Sequence, residues 1–158
     1  MPGLEDLYRE IILDHYRNPR NRGELETPPA HRVEGFNPLC GDEIVLFVEV
    51  DGDTVTDIKI GGQGCSISQS SASMMSAAVK GKTVAEVEEL TRAFKAMMSI
   101  HESSLEGDAA AEADAELLAS VKLGDLEALR GVVKFPVRIK CATLSWNTLA
   151  EGLQEATV

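Results

Sequence analysis

EIVLFVEVDGDTVTDIKIGGQGCSISQSSASMMS, residues 43–76, is the stretch whose reading decides the fold. Residues 43–50 and 54–60 are rich in β-branched side chains, and Asp51, Gly52 and Asp53 separate them. That pattern predicts an antiparallel hairpin. Gly61, Gly62, Gln63 and Gly64 follow, and three glycines in four residues let the backbone turn sharply from strand to helix. From Cys65 the alternation fades and small side chains dominate, which predicts a helix packed closely on the sheet and ending near Gly81.

Working outward, Leu4, Leu7, Tyr8, Ile11 and Ile12 recur at helical spacing, so 4–17 reads as an amphipathic helix. NPRNRG, residues 18–23, stops it. Residues 24–38 read as irregular, with a short strand near Val33. Downstream, a helix is expected from Thr83 to Met98, opened by the capping-box pattern TVAE at 83–86. Residues 101–131 are acidic and alanine-rich, which predicts short exposed helices and loops. VVKFPVRIK, residues 132–140, reads as strand-like. CATLSWNTLAEGL, residues 141–153, places Leu144, Thr148 and Leu149 on one helical face. No internal repeat or domain boundary is visible. The expected fold is a single α+β domain, a small antiparallel three-stranded sheet with helices packed on one side.

The chain has 158 residues, 44% of them hydrophobic and 26% charged, a globular composition able to bury one moderate core. No apolar run reaches the roughly 18 residues of a membrane span. The first residues, MPGLEDLYRE, carry acids where a signal peptide needs a basic start, so a cytoplasmic location is expected. A formal net charge of −11 disfavours nucleic acid as a partner, because phosphate binding needs a basic surface.

Three cysteines, Cys40, Cys65 and Cys141, are better read as thiols or metal ligands than as disulfide partners in that compartment. None forms a CxxC knuckle. Each falls at the end of an expected element: Cys40 before the hairpin, Cys65 at a helix start, and Cys141 where the strand-like run becomes helical. Loops at one end of a sheet can bring such positions together. A helix N-terminus favours the thiolate form of a cysteine placed there. Three thiolates with Asp42 would complete a tetrahedral zinc site, and iron–sulfur clusters favour the same sulfur ligands. The competing reading is a set of small buried core residues, a common role for free cysteine.

NPLCGDEI at 37–44, GGQGCSISQSSASMMS at 61–76 and KFPVRIKCATLSW at 134–146 resemble, in that order, the three cysteine regions of the IscU/SufU iron–sulfur cluster assembly family. LYREIILDHYRNPRNRG at 7–23 is similar to that family's opening. The resemblance covers nearly the whole chain except about 101–131. Lys140 stands where IscU scaffolds usually carry a histidine. A single Pro136 stands where they carry a two-proline chaperone-recognition motif, so an Hsp70-type chaperone is a doubtful partner. The long segment between the second and third cysteines resembles the insertion of the SufU branch.

The resemblance implies a SufE/NifU-like fold and a zinc site made by Cys40, Asp42, Cys65 and Cys141. It also implies a pyridoxal-phosphate cysteine desulfurase of SufS type as partner, with downstream iron–sulfur assembly proteins beyond it. Cys40 would be the catalytic residue, taking the persulfide sulfur in the manner of a zinc-dependent sulfurtransferase rather than a free-standing enzyme. One alternative is a scaffold binding iron as a labile [2Fe–2S] cluster. A purely structural zinc domain is the third reading. Other candidates are set aside: Arg138 is as well read as a surface residue as a thiolate stabiliser. His15 reads as packed or solvated, His31 and His101 as surface, and Met74, Met75, Met97 and Met98 as core or interface filler. The acidic 106–120 stretch reads as a solvated face.

Overall fold

A computed structural model describes residues 4–27, 30–38, 41–106, 124–134 and 136–156. Helix α1 (Leu4–Arg17) precedes strands β1 (His31–Asn37), β2 (Asp42–Asp51) and β3 (Thr54–Gln63). Helices α2 (Ser66–Val79) and α3 (Val84–Glu106) follow, then a 3₁₀ segment (Gly124–Lys134) and helix α4 (Pro136–Ala156). The strands form one antiparallel sheet in the order β1-β2-β3. This is the expected α+β fold. Among the described residues, no helix is long and apolar enough to cross a membrane.

The hairpin forms as its sequence requires. Asp51 pairs with Thr54, and the turn between them opens on Gly52 at φ 65°, the left-handed conformation such turns need. Ile44, Leu46 and Val48 alternate inward from β2 and are fully buried. The register slips by one at Glu49/Val50, a bulge that lets both Val55 and Ile58 of β3 reach the core. Residues 21–23 extend the sheet beyond β3: the Ile60 N–H donates to the Asn21 carbonyl and the Gly23 N–H to the Ile60 carbonyl.

The helices cover one face. α4 lies against β1 and β2 at a separation that small residues set. A Cβ on Gly35 would fall 1.9 Å from Thr148 Oγ1, and one on Gly152 would fall 2.8 Å from Val33 Cγ1. α2 sinks Ser68, Ser70, Ser71, Ser73 and Ser76 completely, which brings its backbone close to its neighbours. The Ser71 hydroxyl donates to the Ala142 carbonyl of α4 at 2.6 Å. Buried His15 ties α1 to α2 through Ser73 Oγ (2.8 Å) and to the 3₁₀ segment through Asp125 (2.9 Å). Trp146 and Phe94 stack at 4.8 Å between ring centroids, joining α4 to α3. The capping box is formed as read: Thr83 N–H donates to Glu86 Oε1 and Glu86 N–H to Thr83 Oγ1, both at 3.1 Å.

Five expectations need correction. β1 is a full seven-residue strand rather than a short piece near Val33. β3 runs through Gly61, Gly62 and Gln63, so the strand-to-helix turn falls at Gly64 and Cys65. The helix opened by Thr83 continues to Glu106 instead of ending at Met98. Residues 124–131 are not exposed excursions, since Leu126, Ala128 and Leu129 belong to the core; 107–123 lie outside the described residues. The strand-like run at 132–140 is the end of the 3₁₀ segment followed by the start of α4. Its proline sits at the first helical position, where a missing N–H costs nothing.

Candidate metal centre

The end of the sheet where β1 passes to β2 gathers the cysteine regions. Asn37 pairs with Asp42 across the turn that joins the two strands, and the Gly41 N–H closes that turn on the Asn37 carbonyl at 2.8 Å. Gly41 takes φ 72°. Asp42, the first residue of β2, points inward and is fully buried.

β3 returns toward the same end. Gly62 permits a very close approach, because a Cβ there would fall 2.2 Å from the Glu43 carbonyl oxygen. The chain then turns at Gly64, and Cys65 caps α2, its sulfur accepting the Ser68 N–H at 3.4 Å. The Cys65 N–H donates to Asp42 Oδ1 at 2.9 Å, while Sγ stands 3.8 Å from Oδ2. Cys141 arrives from α4, fully buried, with the Asn37 side-chain amide donating to its sulfur at 3.8 Å.

One ligand atom from each of Asp42, Cys65 and Cys141 lies within 4.8 Å of the other two. Zinc bonds of about 2.3 Å to sulfur and 2.0 Å to oxygen, at tetrahedral angles, place ligand atoms about 3.5–3.8 Å apart. A small contraction would therefore seat an ion. The burial of Asp42 supports the fit independently. A fully buried carboxylate is costly unless it is paired or ligates a metal. Among the described residues no lysine, arginine or histidine forms an ion pair with it. Two thiols and a carboxylate form a donor set suited to zinc or to an iron–sulfur cluster, while oxygen-seeking magnesium and calcium are poorly served by sulfur.

Of the four residues singled out in the sequence, the structure thus brings three together. The fourth, Cys40, lies outside the described residues, between Pro38 and Gly41 of the connecting turn. Cys65 is at a helix start as expected. Cys141 is not: it is the sixth residue of α4, so no helix N-terminus serves its sulfur. The cause is the misread 132–140 run. Lys140 and Arg138 are exposed on α4, as is His31 on β1; the side chain of His101 lies outside the described part of α3. His15 is packed away from the site against Ser73, and the four methionines named above are core residues. Sequence reasoning missed Asn37 and Ser68, and it read Gly64 as a turn residue without its closeness to Asp42. Only their places inside the NPLCGD and GGQGCSIS stretches could have pointed to them.

The NifU-like N-terminal domain family matches residues 7–155. The chain is 47% identical to a Bacillus subtilis protein named zinc-dependent sulfurtransferase SufU, over 95% of this chain and 91% of that one. It is 39% identical to an iron–sulfur cluster assembly scaffold protein IscU of Streptococcus pyogenes, over 97% of this chain and 86% of the relative. A crystal structure of an N-terminal NifU-like protein from Brucella abortus superposes with a TM-score of 0.75. It covers 98% of this chain and 96% of its own at 22% identity, a likeness of fold.

Proposed function

Since this chain belongs to the NifU-like N-terminal domain family, we propose that it is a zinc-bound sulfur acceptor in iron–sulfur cluster assembly. Zinc would be held by Cys40, Asp42, Cys65 and Cys141. The observation that carries this reading is the convergence of buried Asp42 with two cysteine sulfurs inside 4.8 Å. The name of the B. subtilis relative supports the same metal and the same chemistry. The family match over 7–155 supports treating 1–158 as one IscU/SufU-like unit, with 101–131 as an insertion between the second and third cysteines.

Zinc, when bound, keeps cysteine sulfurs as thiolates at neutral pH without redox chemistry of its own. The residues divide the remaining work. Asp42, Cys65 and Cys141 are anchored in a strand, a helix cap and a packed helix, and each meets an N–H donor or supplies one to a neighbour. Cys40, the fourth member of the proposed set, is the ligand assigned to release.

Its partner is a pyridoxal-phosphate cysteine desulfurase bearing a persulfide, R–S–SH. The Cys40 thiolate attacks the outer sulfur, a new S–S bond forms at Cys40, and the donor's S–S bond breaks. The donor cysteine leaves as a thiolate, so the step is redox-neutral and needs no further reactant. Downstream assembly proteins then receive the sulfur. Asp42 holds and orients the resting site. An exposed Lys140 before Cys141 offers no histidine ligand, which favours relay over cluster scaffolding.

Metal and acid-labile sulfide content of anaerobically purified protein, followed by a cysteine desulfurase assay, tests the reading. About one zinc per chain, no sulfide, and stimulated turnover that vanishes in Cys40→Ala are expected. Iron with stoichiometric sulfide and no stimulation would transfer the function to a scaffold, the role named in the S. pyogenes relative. Zinc without any effect on the desulfurase would leave a structural centre.

A further inference from the structure

Asn37 is the last residue of β1, faces inward, and is 6% exposed. It makes two bonds at this end of the sheet, one from its backbone and one from its side chain. Its backbone carbonyl accepts the Gly41 N–H at 2.8 Å, closing the turn, and its side-chain Nδ2 donates to Cys141 Sγ at 3.8 Å. Cys65 has a corresponding donor from the backbone, the Ser68 N–H. Cys141, the sixth residue of α4, accepts from a side chain on a different element.

We infer that Asn37 is a positioning residue that fixes Cys141 as a permanent ligand. This rests on the zinc reading above and adds to it the group that holds the Cys141 sulfur in place. The physical basis is simple. An N–H donor facing a ligating sulfur draws on its lone-pair charge, weakens it as a nucleophile and holds its rotamer. A sulfur so held competes poorly for an incoming electrophile. The same residue closes the neighbouring turn on the Gly41 N–H, so its backbone and its side chain serve two elements of the site at once.

The test is the order of alkylation of the three cysteines in zinc-loaded protein, read site by site by mass spectrometry with iodoacetamide. In the wild type Cys40 is expected to react first and Cys141 last. Asn37→Asp keeps the shape but removes the donor and turns an oxygen toward the sulfur. It is expected to lift Cys141 labelling toward the Cys40 rate and to speed zinc loss to a chelator by about tenfold to a hundredfold. Asn37→Gln, which keeps an N–H donor, should restore part of the protection; a merely structural role would not distinguish the two.

Unchanged Cys141 protection and zinc release in a folded, zinc-replete Asn37→Asp protein would overturn the inference. Should both variants fail to fold, wild-type protein loaded with cadmium-113 decides. Scalar coupling between the metal and the Asn37 amide hydrogens supports the bond, and its absence refutes it. Zinc stoichiometry of the wild type is measured first. A metal-free chain fails the zinc reading, whereas a zinc-loaded chain with Cys141 as reactive as Cys40 fails this inference alone.

Discussion

Gly64→Ala is the substitution that most directly separates the metal centre from the fold around it. A Cβ at Gly64 would stand 2.5 Å from Asp42 Oδ1, 2.7 Å from Ser68 Oγ and 3.1 Å from Asp42 Cα. Ordinary contacts of a carbon begin near 3.5 Å, so the carboxylate must give way by about 1 Å. Oδ1 accepts the Cys65 N–H at 2.9 Å, and a displacement of that size breaks the bond. A hydrogen bond to a charged group is worth about 1.5–3 kcal/mol, which corresponds to roughly tenfold to hundredfold in an equilibrium constant. Zinc affinity, measured by competition with a chromophoric chelator, should fall by that factor. Gly131→Ala is the control, because a Cβ there meets nothing within 4 Å; its zinc affinity should match the wild type. If Gly64→Ala binds zinc as tightly as the wild type, the geometric argument for Asp42 as a ligand fails.

Other substitutions test the scaffold. Trp146→Ala removes a fully buried ring stacked on Phe94 and should cost about 3–5 kcal/mol in denaturant unfolding. Trp146→Phe should cost far less, because Nε1 is buried without a hydrogen-bond partner among the described residues. His15→Ala strips the partner shared by Ser73 and Asp125 and should lower stability by about 1–3 kcal/mol, seen as a lower urea midpoint. At the capping box, the Thr83 backbone N–H, and after it the Thr83 hydroxyl, hold the Glu86 carboxyl below the usual glutamate range. A carboxyl lowered by folding stabilises fully above its unfolded pKa and loses that contribution as pH falls through its folded value. The stability gap between wild type and Glu86→Gln should therefore be widest near neutral pH and close in acid, as urea titrations across that range would show.

Much of the fold was legible because local chemistry and tertiary packing agree there. The β-branched runs at 43–50 and 54–60, the turn at Gly52 and the Thr83/Glu86 box each specify their element without help. The site was half legible. Asp42 and Cys65 flank the hairpin, so reading the hairpin placed them together, and the cysteine stretches carried the family resemblance. Cys141 was misplaced because a short apolar run does not distinguish strand from helix, and VVKFPVRIK alternates enough to suggest β. Packing decided instead: Leu126, Leu129 and Val132 recur every third residue and bury one side of a 3₁₀ segment, which leaves Pro136 to open α4. β1 was under-read because Gly35 interrupts its pattern. That glycine is there for Thr148, a partner more than a hundred positions away in the chain, which no local window can see.

The distances along the chain between the site's members also impose an order in time. The β2–β3 hairpin joins neighbours and can close within microseconds, but docking α4 on β1 must close a loop of roughly a hundred residues, an entropic cost of about 4 kcal/mol. Asp42 and Cys65 can therefore meet early, while Cys141 joins them only when the long loop shuts. During refolding, uptake of the metal proposed above would run at the pace of that closure rather than of diffusion. A zinc-release or zinc-capture signal would then serve as a clock for the final docking of α4.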